Sequence, residues 1–232
     1  MPKFAVYFVP EAESDFYRLG SSILGYDVRA CRAARMSPRL KAQLPDFEEG
    51  WVEYARPYGF HLTIGDAIDV DLDTLPQIEL ELERILDCFN PGHPFILSQR
   101  KSQPVGFFGQ RVAVLRYDAN DHLRMFHALV TARINVLGTG SGYLDRYISN
   151  PEGWKPHQVL KMQRFFSPYV LDDYTPHFTV LNPYPGAEHE RIKHVLSEEF
   201  AQFSEIPVTS ICLLVQMHKA ENWIIHREVS SQ

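Results

Sequence analysis

The octapeptide GFHLTIGD, residues 59–66, sets a histidine and a threonine two apart in a run that otherwise reads as a buried strand. Side chains on a strand alternate between faces, so His61 and Thr63 share one face while Leu62 and Ile64 share the other. Such a segment is a wall with a core side and a side that lines something polar. A second segment, PHFTVL at 176–181, has the same pattern, with His177 and Thr179 on one face and Phe178 and Val180 on the opposite one. A lone His-x-Thr carries almost no information; two of them, each flanked by apolar residues, carry much more.

Outward from the two motifs the order of elements also repeats. After each come about ten residues, then a helix, then two strands. A shift of 116 positions lays His61 on His177 (177 − 61 = 116), Thr63 on Thr179, and the strand at 95–100 on 211–216. Self-similarity at one offset indicates two copies of one unit, here approximately 58–118 and 174–230. Two copies packed about a local two-fold bring equivalent elements face to face. Both histidines and both threonines are then expected to converge on one cleft.

The rest of the chain supplies the remaining elements. KFAVYFVP (3–10) reads as a strand ended by a proline. Ser14 is placed to cap a helix carrying Phe16, Leu19, Ile23 and Leu24 on one face, and Gly25 is placed to stop it. Further helices are expected over 71–90, 120–138 and 187–203. Strands are expected at PFILSQRKS, GFFGQRVAVLRYD, PVTSICLLVQMH and NWIIHREV. Residues 26–57 are irregular, 139–158 read as loop, and 158–173 carry no clear pattern. The expected class is α+β: one domain over 1–232, of two pseudo-symmetric lobes, each an antiparallel sheet backed by helices, around a central cleft.

Composition narrows the function. With 232 residues and 45% hydrophobic content the chain can bury a sizeable core. No run approaches a membrane span, and the N-terminal apolar stretch, broken by Pro10 and followed by acids, reads as a strand rather than a signal peptide. Three scattered cysteines, Cys31, Cys88 and Cys212, suggest reduced thiols in the cytoplasm. A net charge of −6 argues against a general nucleic-acid binder and against DNA, while leaving room for a small phosphorylated ligand or an RNA end. A monomer with no membrane partner is expected. The basic stretch with Arg29, Arg32, Arg35, Arg39 and Lys41 reads first as an exposed helix face or loop, and second as a phosphate site.

The paired tetrads, Phe60-His61-Leu62-Thr63-Ile64 and His177-Phe178-Thr179-Val180, resemble those of the 2H phosphoesterase superfamily, which includes 2′-5′ RNA ligase-like proteins and cyclic phosphodiesterases. The approach RPYGFHLTI, the opening FAVYFVP and the segment ILGYD look closest to the branch of 2H proteins associated with phosphonate metabolism. One departure is that Gly65 and Asp66 follow the first motif, where that branch commonly has a basic residue. The resemblance implies His61 and His177 as an acid–base pair and Thr63 and Thr179 as phosphate hydrogen-bond donors. The implied activity is hydrolysis of a cyclic phosphodiester: a 2′,3′-cyclic phosphate of a nucleotide or RNA end, or a small sugar cyclic phosphate. RNA end ligation and non-catalytic nucleotide or phosphosugar binding are the alternatives.

The chemistry explains the pairing. Opening a cyclic phosphodiester needs a proton taken from water and a proton given to the leaving alkoxide, and neutral imidazole and imidazolium do these near physiological pH. Threonine hydroxyls can donate to the non-bridging oxygens where charge collects. No metal or other cofactor is required. Tyr58, Phe60, Tyr174, Tyr184 and Phe107 are candidates to stack on a base or sugar, with core packing the competing role. Arg100, Lys101 and Arg111 are candidates for a further phosphate. The GTGSG run (138–142) lacks the Lys-Ser/Thr of a phosphate loop and is expected to be a connection. His122 and His127, five apart on a helix, make poor metal ligands.

Overall fold

In a computed structural model of the chain, which describes residues 1–230, the element signals seen in the sequence act as expected at the N-terminus. The apolar run Lys3–Phe8 forms β1, with everything after Lys3 buried. Helix α1 (Asp15–Leu24) begins where the Ser14 hydroxyl accepts the Tyr17 N–H at 3.2 Å. It ends at Gly25, whose φ of +75° a side chain would resist and whose N–H reaches the Ser21 carbonyl at 2.9 Å. A short pair, β2 (Tyr26–Asp27) and β3 (Arg32–Ala33), and helix α2 (Pro38–Gln43) fill the irregular region. Next come β4 (Leu62–Asp69), α3 (Leu75–Leu86), β5 (Phe95–Gln99), β6 (Val105–Phe108) and β7 (Val112–Ala119). Helices α4 (Asp121–Arg133), α5 (Gly142–Ser149) and α6 (Pro156–Phe165) lead to β8 (His177–Leu181) and α7 (His189–Glu199). The chain closes with β9 (Glu205–Val208), β10 (Ser210–Gln216) and β11 (Ile224–Ser230).

Nine of these strands form one curled antiparallel sheet in the order β11-β10-β1-β4-β8-β7-β5-β9, with β6 also paired to β7. The α+β class, with antiparallel strands backed by helices, is the observed one. The sheet's two sides join at its middle through a single registered pair, Leu62 opposite Phe178. The chain threads twice in similar order, β1-α1-β4-α3-β5 and β7-α4-β8-α7-β10, so the similar stretches begin at β1 and β7, ahead of the expected starts at 58 and 174, and β9, between α7 and β10, has no counterpart in the first. The third strand of each copy crosses to the other, since β5 pairs with β7 while β10 pairs with β1.

Beneath that junction the core is aromatic. Phe60 and Phe178 are fully buried and stack at 4.9 Å. Phe16 of α1 meets both edge-on, at 5.0 Å and 4.9 Å. Buried aromatic pairs contribute about 0.5–1.5 kcal/mol each beyond their area. One helix residue therefore staples the backbone next to each motif to the same floor.

Several expectations change. GFFGQRVAVLRYD is a hairpin, not one strand: Gly109 and Gln110 take φ of +55° and +64°, the geometry of a tight primed turn. PVTSICLLVQMH is two strands that separate at Thr209, β9 pairing with β5 and β10 with β1. Residues 142–149, read as loop, are helix α5, capped by the Ser141 hydroxyl on the Leu144 N–H at 3.2 Å. The preceding glycines serve close packing: a Cβ on Gly138 would lie 2.1 Å from Ile68 Cγ2. In the basic stretch, Arg29 donates to the Val9 and Pro10 carbonyls and to Glu228, and Arg39 pairs with Glu199. These are structural ties. No helix among the described residues is long and apolar enough to cross a membrane.

Candidate active site

The Leu62–Phe178 pair fixes where the motifs meet. One step outward in an antiparallel register sets His61 opposite Thr179 and Thr63 opposite His177. Leu62 and Phe178 are buried in the core, so the four polar side chains lie on the other face, each half-buried.

The two imidazoles are held in matching ways. His61 Nδ1 lies 2.9 Å from the Gly59 carbonyl, and His177 Nδ1 lies 2.7 Å from the Thr175 carbonyl, in each case two residues upstream. A carbonyl can only accept, so Nδ1 carries the proton in both rings and the neutral lone pair is on Nε2. The His61 Nε2 is 3.4 Å from the Thr63 hydroxyl. Burial pushes the His61 pKa down to about 4, the Gly59 carbonyl opposing this and the charge of His177 adding to it. His177 is lowered as well, by burial first, against its Thr175 carbonyl, with the Arg116 cation adding to the effect. The Leu62–Phe178 pairing puts the two rings in one neighbourhood, and with both pKa values lowered both are neutral near pH 7.

The surroundings explain these shifts. Tyr7, paired with Thr63 across β1–β4, stacks on the His61 ring at 3.9 Å. Tyr58 lies 6.1 Å from that ring and stacks on Trp223 at 5.4 Å. Phe108 meets the His177 ring edge-on at 4.9 Å. Arg116 pairs with His177 across β7–β8, and its guanidinium carbon sits 5.9 Å from the Phe108 ring centre. Two hollows open on the surface, neither of them lined by His61, Thr63, His177 or Thr179. One of about 420 Å³ is lined by Arg116 with Gln103, Gly106 and Lys193. The other, of about 570 Å³, is lined by Arg146 with Trp154, Gln158 and Tyr169. Arg146 in turn bears electrostatically on Tyr58.

Of the residues expected to bind substrate, Tyr58 is at the site. Phe60 is not: it faces the core at 0% exposure, because it precedes His61 by one and strand faces alternate. Tyr174 is buried, its ring stacked on His127 at 3.7 Å and its hydroxyl donating to the Thr63 carbonyl at 3.1 Å. It holds the motif from behind. Tyr184 packs in the core edge-on to Trp51, with Phe107 beside it at 5.7 Å. Arg100 lies one strand beyond Arg116 and is committed to Asp118 at 3.0 Å. Arg111 is exposed in the β6–β7 turn. The guanidinium beside His177 is Arg116, which sequence reading passed over. Its signal was present in VAVLRY (112–117), where it is the one charge in an otherwise apolar run. His127 proves structural, its ring nitrogens engaged with the Ile64 carbonyl and the Leu171 N–H. No group of three or more His, Cys, Asp or Glu side chains among the described residues is arranged to hold a metal ion.

A family model described as a protein of unknown function (DUF1045) matches residues 101–224, and the chain belongs to that family. The matched region contains Arg116 and the second motif. No curated protein matches the chain.

Proposed function

We propose that this member of the DUF1045 family is a metal-independent phosphoesterase that hydrolyses a cyclic phosphodiester by a two-histidine mechanism. The substrate class is a 2′,3′-cyclic phosphate of a nucleotide or RNA end, or a small sugar cyclic phosphate. The observation that carries the reading is the matched pair of imidazoles across the Leu62–Phe178 junction, each with Nδ1 tied to a carbonyl two residues back. The resemblance of both tetrads to the 2H phosphoesterases supports it.

The phosphate binds between the rings, with the Thr63 and Thr179 hydroxyls donating to its non-bridging oxygens and Arg116 supplying positive charge. Bound anion favours a proton on one imidazole, which both rings lack near pH 7 when the site is empty. The neutral ring takes a proton from water through Nε2 as the water oxygen bonds to phosphorus. The protonated ring gives its proton to the ribose oxygen as the O–P bond breaks. A phosphomonoester leaves, and the rings have exchanged roles. Free thiols at Cys31, Cys88 and Cys212 suit a reducing compartment such as the cytoplasm.

Turnover of 2′,3′-cyclic nucleotides in EDTA is the test. His61→Ala and His177→Ala should each lower kcat by about 10²–10⁴-fold, the usual weight of a positioned acid or base. Activity retained in either variant rejects the paired mechanism.

A further inference from the structure

Tyr7, on β1, lies flat against the His61 imidazole, with ring centres 3.9 Å apart and planes 13° from parallel. The tyrosine ring is itself held. It is 2% exposed and packs on Trp223 at 6.1 Å, and Trp223 is fully buried. The Trp223 backbone N–H donates to the Pro57 carbonyl at 2.8 Å, and its carbonyl accepts the Tyr26 hydroxyl at 3.1 Å. Two restraints therefore act on the imidazole. The Gly59 carbonyl holds Nδ1 at 2.9 Å, and the Tyr7 face sets the tilt of the ring. Together they fix the direction in which Nε2 points.

The second copy of the unit shows what the sheet alone requires at this place. In β1–β4 the register slips between Val6–Gly65 and Tyr7–Thr63, skipping Ile64. In β7–β8 it slips between Ala113–Leu181 and Val114–Thr179, skipping Val180. Ile64 and Val180 are one repeat offset apart (180 − 64 = 116). Both copies thus carry a bulge at the same point, and bulges re-aim side chains beside functional sites. Tyr7 and Val114 are then equivalent positions, each opposite its motif threonine. Val114 is fully buried, so an aliphatic side chain satisfies the sheet there. The flat ring at Tyr7 answers to His61. His177 has no such platform and meets Phe108 only edge-on.

We propose that Tyr7 is the positioning residue of His61, fixing the plane of the imidazole so that Nε2 is aimed at the bound phosphate. The inference rests on the phosphoesterase reading and adds to it a residue that acts through the histidine. A face-on stack suits this work in both halves of the cycle. It packs against the neutral ring, and the negative face of the phenol also accepts the imidazolium that the proton transfer creates. The ring face is the active feature, so the hydroxyl is dispensable and the aromatic ring is not.

The experiment compares the wild type, Tyr7→Leu and Tyr7→Phe by two measurements. In hydrolysis of 2′,3′-cyclic nucleotides, Tyr7→Leu should lower kcat at least about ten-fold with KM unchanged, since misplacing a group by about 1 Å can cost about 10²-fold. Tyr7→Phe should keep the wild-type kcat. Nitrogen NMR of the imidazoles at pH 7 should show His61 as the Nδ1–H tautomer in the wild type and Tyr7→Phe. In Tyr7→Leu it should show both tautomers, as the freed ring leaves the Gly59 carbonyl. His177 should be unchanged throughout, and its signal reports that the leucine variant is folded. If that variant does not fold, Tyr7→Met, an unbranched filler without a flat face, takes its place under the same criteria. A wild-type kcat in the leucine variant overturns the inference, as does a phenylalanine variant as slow as the leucine one. So does a His61 tautomer that ignores the substitution. Should the wild type turn over no cyclic phosphate, the phosphoesterase reading fails, and the tautomer measurement alone decides whether Tyr7 positions His61.

Discussion

Acid should loosen this protein through His127, and the size of the effect follows from its contacts. The residue is 3% exposed. Its Nδ1–H donates to the Ile64 carbonyl at 2.7 Å, and its Nε2 accepts the Leu171 N–H at 3.0 Å. A second ring proton would point at that N–H. Burial, opposed by the Ile64 hydrogen bond and reinforced by the Arg124 charge, pushes the pKa down to about 4. An unfolded histidine titrates at about 6.5, so the unfolded chain takes the proton first. The associated stability is complete above about pH 6.5 and is lost as pH falls from there towards 4. At pH 5 the unfolded ring is about 1.5 units past its pKa, at about 1.4 kcal/mol per unit, which comes to about 2 kcal/mol. His127→Gln keeps a donor and an acceptor but does not titrate. Urea unfolding followed by tryptophan fluorescence at pH 7 and pH 5 should show the wild type losing about 2 kcal/mol more than the variant. Equal losses would refute the argument. The same contacts tie Leu171 and Tyr174 to β4, so activity should fail over the same pH interval.

Three further outcomes are expected. Phe60→Ala, in the aromatic floor, should destabilise the fold by about 3–5 kcal/mol, read as a lower urea midpoint, because the cavity cannot close on the rings of Phe16 and Phe178. Gly106→Ala would place a Cβ 2.2 Å from Arg116 Cζ, displacing that flexible side chain; calorimetry should show weaker binding of inorganic phosphate with an unchanged melting temperature. In NMR titration of the ring protons His61 should titrate near pH 4, and Arg116→Gln should move the His177 midpoint upward, since a neighbouring cation is gone; a His61 midpoint at 6.5 or above would contradict its burial.

The two motifs were legible because strand alternation and the 116-residue offset can both be read along the chain without knowing which strands pair. The same alternation, applied one residue earlier, would have sent Phe60 to the core. Arg116 and Tyr7 escaped notice because their place beside the histidines depends on cross-strand pairing, β7 with β8 and β1 with β4. No spacing along the chain encodes that. Tyr174 was found near the site but in the wrong role, since the partner that buries it, His127, arrives from a helix 47 residues away (174 − 127 = 47). Helix α5 was missed because Gly138, Gly140 and Gly142 look like a loop. Two of these precede the helix, and Gly138 is there to let Ile68 approach.

The crossing of β5 and β10 makes the molecule indivisible. A fragment ending before β7 would keep one imidazole and also strip β5 of both its partners, β7 and β9, leaving its edges open to pairing with other chains. Trimming either copy therefore removes half of the proposed site and invites aggregation in a single stroke. Selection against misassembly would then preserve both histidine-bearing arms together, even without pressure on the reaction itself.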